Sequence, residues 1–112
     1  MLTDKLSAYL GFAAKAGKLM NGYNTCLSLI DKRKVRLLIV AEDSSDNTKE
    51  KMQRKSRAGK TEFRIFGTSE ELSRITGKTE STVFAVTDEG FAKVIRNEID
   101  RIRSEGVIKD GE

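Results

Sequence analysis

The 112-residue sequence predicts an α/β protein, a sheet covered by helices on both faces. Two observations carry this. Residues 35–41 (VRLLIVA) and 82–87 (TVFAVT) are nearly unbroken apolar runs, the pattern of strands buried on both faces. Around them lie segments whose apolar residues recur at spacings of three and four, as amphipathic helices require. The resulting order is α-β-α-β-α-β-α-β-α, an alternation that places helices on both sides of a sheet.

Taken in turn, Thr3 caps a first helix whose apolar face is Leu6, Tyr9, Leu10 and Ala13, and Gly17 ends it. Residues 18–20 form a short extended stretch, and Asn21-Gly22 is a turn signal. A second helix spans 23–31, with Tyr23, Cys26, Leu27 and Ile30 facing inward. After the buried strand at 35–41, Ser44, Ser45 or Asp46 caps a third helix that reaches Ala58 and stops at Gly59. Residues 62–67 (EFRIFG) alternate like a strand. Residues 69–76 read as a short helix capped by Ser69 and closed by Gly77. A last helix from Glu89 carries Phe91, Val94, Ile95, Ile99 and Ile102 on one face. With no internal repeat or low-complexity linker, residues 1–104 read as one domain and 105–112 as a flexible tail.

Composition narrows the function. Cys26 is the only cysteine and there is no histidine, so neither an internal disulfide nor a zinc-ligand set is expected. No apolar run is long enough to cross a bilayer, and the N-terminus lacks a secretory pattern. A reducing, cytoplasmic setting follows as the expectation. The net charge of +4 and pI near 9.3 favour a polyanionic partner.

Three Gly-Lys pairs invite a phosphate-loop reading, which needs Gly, four residues, then Gly-Lys-Ser/Thr. The position of the first glycine holds Phe12, Arg54 or Leu72, and Leu19 replaces the hydroxyl after Gly17-Lys18. All three pairs fail. Cys26 lies on the inward face of its helix, which reads as a core thiol rather than a nucleophile. Glu42-Asp43 ends a buried strand, where α/β folds hold ligands, but adjacent carboxylates at a turn also serve as caps. No enzyme, metal or cofactor is expected.

Nucleic acid fits better. Positive charge gathers at residues 32–36 (KRKVR) and 49–60 (KEKMQRKSRAGK), with Lys15, Lys18 and Lys78 beside the glycine turns. Residues 17–24 bring small residues and backbone amides to a helix N-terminus, where unpaired N–H groups favour phosphate oxygens. Asn24 offers a paired donor and acceptor to a purine edge. Few aromatics are free to stack on single-stranded bases, which favours a folded RNA read by shape and exposed base edges.

From LGFAAKAGKLMNGYNTCL through LLIVAEDSSDNT to ELSRITGK, the chain resembles the kink-turn RNA-binding ribosomal-protein family of the L-seven-Ae and L-thirty type. The likeness spans about residues 5–95, and within the family it is most similar to the small bacterial YlxQ-like branch. The resemblance implies a three-layer α-β-α sandwich around a four-stranded mixed sheet. It also implies binding of a kink-turn, a sharply bent RNA internal loop. The family's Asn-Glu-x-x-Lys signature falls on Asn24, Thr25 and Ser28, so only the asparagine is kept. Gly22 allows close approach of the RNA, Lys18 and Asn21 flank it, and Gly77, Lys78, Thr79, Glu80 and Ser81 form a loop that covers a flipped-out nucleotide. Gly17 and Glu42 complete the expected RNA-binding set. The implied partner is structured RNA, ribosomal RNA in particular, met by a monomer away from membranes. The alternative is a protein–protein interaction module on the same fold, with weak or no RNA binding.

Overall fold

In the computed structural model, which describes residues 2–110, the strands alternate with helices in the expected order. The elements are α1 (Asp4–Lys15), β1 (Leu19–Asn21), α2 (Tyr23–Asp31), β2 (Leu37–Val40), α3 (Asp46–Ala58), β3 (Glu62–Ile65), α4 (Ser69–Thr76), β4 (Val83–Val86) and α5 (Glu89–Asp110). The strands lie in the order β1-β4-β2-β3. Only β2 and β3 run parallel, and β4 is antiparallel to both its neighbours, so the sheet is mixed.

Two central strands explain the unbroken apolar runs. Leu37 and Ile39 of β2, with Phe84 and Val86 of β4, pack under α1, α4 and α5 against Leu6, Leu10, Leu72, Ile95 and Ile99. The alternate residues Leu38, Val40, Val83 and Ala85 face α2 and α3, where Cys26, Ile30 and Met52 cover them. Successive side chains of a strand point to opposite faces, so burial under both helix layers leaves no polar position. Phe84 is fully buried, and its truncation to alanine would cost about 3–5 kcal/mol.

Edge strand β3 is held by charge as well as by pairing. Arg64 reaches Asp100 of α5 at 2.8 and 3.0 Å, and Glu62 meets Arg64 and Arg96 at 3.3 and 3.7 Å. Thr3 caps α1 by accepting from the Leu6 N–H, and its hydroxyl donates to Glu98 at 2.9 Å, tying the start of α1 to α5.

The strands cover 19–21, 37–40, 62–65 and 83–86 rather than the expected 18–20, 35–41, 62–67 and 82–87, and two helix boundaries differ from the sequence reading as well. The cap of α4 is Thr68, not Ser69. With Thr68 outside the helix, Glu71 stands three residues on and returns a bond to the Thr68 N–H, completing a capping box. Leu72, the corresponding partner for Ser69, has no acceptor to offer. The backbone of α5 runs to Asp110, past Ser104, and residues 111–112 of the expected tail lie outside the described residues.

Candidate nucleic-acid interface

The sheet topology gathers several loops at one end. Because β4 is antiparallel to β1 and β2, the ends of β1 and β2 and the start of β4 lie side by side. Backbone bonds stitch these segments beyond the strands: Gly22 N–H to the Val83 carbonyl at 3.0 Å, Ala41 to Thr82 at 2.8 Å, and Glu42 to Gly67 at 2.7 Å. The Asn21 amide donates to the Ser81 hydroxyl at 2.5 Å, joining the turn before α2 to the loop before β4. Asp43 accepts from both the backbone N–H and the hydroxyl of Ser69, at 2.8 and 2.7 Å. Those two bonds hold the Asp43 carboxyl below its ordinary value and pin the loop after β2 to the start of α4.

At the centre of this end stands the α2 N-terminus. The Cys26 N–H, bonded to the Gly22 carbonyl at 3.0 Å, is the first to find a partner within the helix. The amides of Tyr23, Asn24 and Thr25 therefore have no intrahelical acceptor. Thr3, Ser45, Thr68 and Asp88 each accept from an N–H in the first turn of α1, α3, α4 and α5. Among the described residues α2 alone lacks a side-chain cap, and its first turn carries no acid. Gly22 is the residue before the helix, with φ 106° and ψ 145°, a conformation open to glycine. It directs Asn24, Thr25 and Ser28, all exposed, outward from the sheet end.

The loop at 77–81 forms the opposite wall. Gly77 closes α4 in the left-handed conformation at φ 74°. Glu80 is left-handed too, at φ 53°, an unfavourable state for a residue with a Cβ. Lys78 is half-buried, Thr79 and Glu80 are exposed, and Ser81 is buried against Asn21. Between this loop and α4 opens a cleft of about 550 Å³, lined by Ser73, Arg74, Thr79, Glu80 and Ser81 among others. Its size falls within the range of about 300–1,000 Å³ usual for ligand pockets.

The structure thus brings Asn21, Gly22, Asn24, Thr25, Ser28, Glu42 and the residues 77–81 to one end. Gly17 and Lys18 are placed elsewhere. The Lys18 carbonyl accepts from Thr87 at 2.9 Å, at the far end of β1. Gly17, at φ 73°, and Lys18, whose N–H returns to the Ala13 carbonyl, terminate α1. Sequence reasoning also left Lys51 among the general cations of α3, whereas its ammonium lies 5.7 Å from the centre of the Tyr23 ring at the start of α2. Only the side-by-side packing of α2 and α3 reveals that neighbour. Cys26 is buried beneath the helix, and burial pushes its thiol up to about 12. Among the described residues no group of histidine, cysteine and acidic side chains is arranged to hold a metal, and no helix is long and apolar enough to cross a membrane.

Residues 4–96 match the model of the family described as Ribosomal protein L7Ae/L30e/S12e/Gadd45. The chain belongs to that family. Within the L7Ae/L30e/S12e/Gadd45 family it is similar to the RNA-binding protein YlxQ of Enterococcus faecium, 35% identical over 91 residues that cover 80% of this chain and 86% of the relative. The YlxQ protein of Bacillus subtilis strain 168 is 32% identical over 91 residues, 81% of this chain and 91% of that one. A solved structure of a Bacillus halodurans protein of unknown function superposes with a TM-score of 0.84 at 30% identity, covering 88% of this chain and 99% of that one. The 15.5 kDa RNA-binding protein of Giardia lamblia shares the fold at a TM-score of 0.70 and 16% identity, over 93% and 92% of the two chains.

Proposed function

We propose that this chain is a non-enzymatic RNA-binding protein, ribosome-associated and cytoplasmic, that holds a kink-turn or related bent RNA as a monomer. Its RNA-binding domain spans residues 1–104. The observation that carries the reading is the uncapped α2 N-terminus, joined through the Asn21–Ser81 hydrogen bond to the loop before β4. Free amides and the positive end of the helix dipole attract phosphate oxygens, and Gly22 leaves room for the sugar–phosphate backbone. Asn24 supplies the paired donor and acceptor that a purine edge needs. The cleft beside residues 77–81 takes the extruded nucleotide. Thr25 accepts from a guanine amino group through a hydroxyl in place of a carboxylate, and Lys51 brings the cation that Ser28 does not. The relatives named as RNA-binding proteins support the partner class.

The test measures binding to a kink-turn RNA and to a straight duplex of equal length, at two stated salt concentrations. Wild type is expected to prefer the bent RNA, and Asn24→Ala to remove that preference by about 5- to 150-fold, the equivalent of about 1–3 kcal/mol. Equal affinity for both RNAs in wild type sinks the reading, and an unchanged preference in Asn24→Ala refutes the site.

One observation favours the alternative of a protein-interaction module. Phe12 is 58% exposed and adjoins Tyr9, Phe91 and Val94 on the α1–α5 face, away from the RNA site. No binding to either RNA would support that alternative.

A further inference from the structure

The cations that follow α2 and α3 have no part in the site above, and two of them sit in strained backbone. Arg33 at φ 58° and Lys60 at φ 56° both adopt the left-handed region, which favours glycine over any residue with a Cβ. Each ends its helix, the Arg33 N–H donating to the Ile30 carbonyl and the Lys60 N–H to that of Arg57. At the second helix a glycine is present one residue early. Gly59 has φ −87°, and packing explains it, since a Cβ there would lie 3.1 Å from Ile30 Cγ2. The two helix ends therefore meet, and a shallow cleft of about 170 Å³ between them is lined by Asp31, Arg33 and Lys55. Arg33 and Lys60 are exposed, and among the described residues neither forms a salt bridge. The left-handed backbone closes each helix, the Lys34 N–H reaching the Leu29 carbonyl at 3.0 Å and the Thr61 N–H that of Ser56 at 2.8 Å, while the two cationic side chains themselves play no part in that capping.

Charge balance decides against simple compensation of the helix dipoles. Each helix C-terminus carries about −0.5 charge, so two ends and Asp31 sum to about −2. Lys32, Arg33, Lys34, Lys55, Arg57 and Lys60 supply six positive charges, leaving an excess of about four. Lys18 and Arg36 fall at the same end of the sheet, bonded to Thr87 and Val86.

We propose that the paired C-terminal ends of α2 and α3 form a second RNA surface, which grips the phosphates of a double-stranded arm leaving the bend. This rests on the RNA reading above. The nine residues of α2 span about 13 Å, so an arm that starts at Asn24 and lies along α2 and α3 brings its backbone to Arg33 and Lys60. Lys51 and Lys55, one helical turn apart on α3, bridge the interval. The aromatic rings beside these cations, Tyr23 near Lys51 and Phe63 near Arg57, are half-buried, so a duplex backbone fits better than stacked single-stranded bases.

The test compares wild type with the double variant Arg33→Gly/Lys60→Gly. Glycine relieves the left-handed strain, so the melting temperature is expected to stay level or rise, which separates the charge effect from misfolding. Binding is measured between 50 and 200 mM salt to the bent RNA with full arms, to the same RNA with its arms trimmed to the bend, and to a straight duplex. Loss of two phosphate contacts lowers the slope of log affinity against log salt by about 2. Across that salt range, affinity in wild type should fall about tenfold more than in the variant. The difference should appear with full arms and on the straight duplex, and vanish with trimmed arms. An unchanged slope on every RNA overturns the proposal and hands the surface to an acidic protein partner. An equal change with trimmed arms overturns it too. If wild type shows no preference for bent RNA, the bend reading fails separately, and the straight-duplex slopes still decide this surface.

Discussion

Gly22→Ala isolates the turn on which the candidate site depends. A Cβ built on Gly22 would lie 3.8 Å from Thr25 Oγ1 and 3.9 Å from Thr25 Cβ, both ordinary van der Waals distances. Steric collision therefore contributes nothing, and the whole penalty is conformational. At φ 106° and ψ 145° an alanine is held in a region nearly reserved for glycine, at a cost of about 1–3 kcal/mol. With an unfolding entropy of about 2.1 cal/mol/K per residue, 112 residues give about 0.24 kcal/mol/K. The melting temperature should then fall by about 4–13 °C, followed by circular dichroism. Because a domain of this size has about 5–15 kcal/mol of stability, the variant remains folded at 25 °C. Bent-RNA affinity measured there reports displacement of the α2 N-terminus rather than unfolding. Gly17→Ala is the control: it is left-handed at φ 73° with nothing within 4 Å, and it lies at the far end of β1. It should cost about 1 kcal/mol and leave bent-RNA preference intact. An unchanged melting temperature for Gly22→Ala would show that the turn relaxes freely and does not fix the start of α2. Equal loss of RNA preference in both variants would refute the placement of the site.

Three other outcomes follow from the geometry. The Arg101 guanidinium, 2.6 Å from Glu98, and then the Thr3 hydroxyl hold the Glu98 carboxyl at about 2 against an ordinary 4.5. Its stabilisation is complete above about pH 4.5 and fades as pH falls toward 2, so the gap in urea midpoint between wild type and Glu98→Gln should narrow over that window. A gap independent of pH would exclude this carboxylate as the cause. Asp43→Ala removes two hydrogen bonds at an exposed position and should cost about 1 kcal/mol in urea unfolding, with weaker bent-RNA binding as Glu42 and α4 lose their tie; unaltered RNA affinity would show that the tie does not position the site. Cys26, pushed up to about 12 by burial, should resist a thiol reagent at pH 8 until the protein is denatured, and rapid labelling of the native chain would contradict its burial.

How much of this was legible in the sequence depends on the range over which each signal acts. Helix and strand positions are local, and the apolar runs at 35–41 and 82–87 announced the two central strands because burial on both faces leaves no other composition. The α4 cap was local as well, yet Thr68 and Ser69 compete until Glu71 is counted as the returning partner. Lys18 shows the limit. It stands near Asn21 in sequence, but the extended run of β1 from Leu19 to Asn21 is enough to send Lys18 to the opposite end of the sheet. Lys51 shows the reverse, remote in sequence from Tyr23 and beside it in space. The strained positions of Arg33 and Lys60 carry no sequence signal, since nothing in KRK or GKT announces a left-handed backbone.

The strand order has a temporal consequence. β1 pairs with β4 alone, and its contact residues Asn21 and Ser81 are separated by 60 positions. A growing chain that has finished β1 and α2 therefore has no sheet to attach them to, because β4 must enter between β1 and β2. At about 5–20 residues per second, those 60 residues take about 3–12 s to synthesise. For that interval the nascent chain carries Asn24 without the wall opposite it. The molecule assembles its candidate RNA-facing edge in one late event, when the penultimate element slots into place.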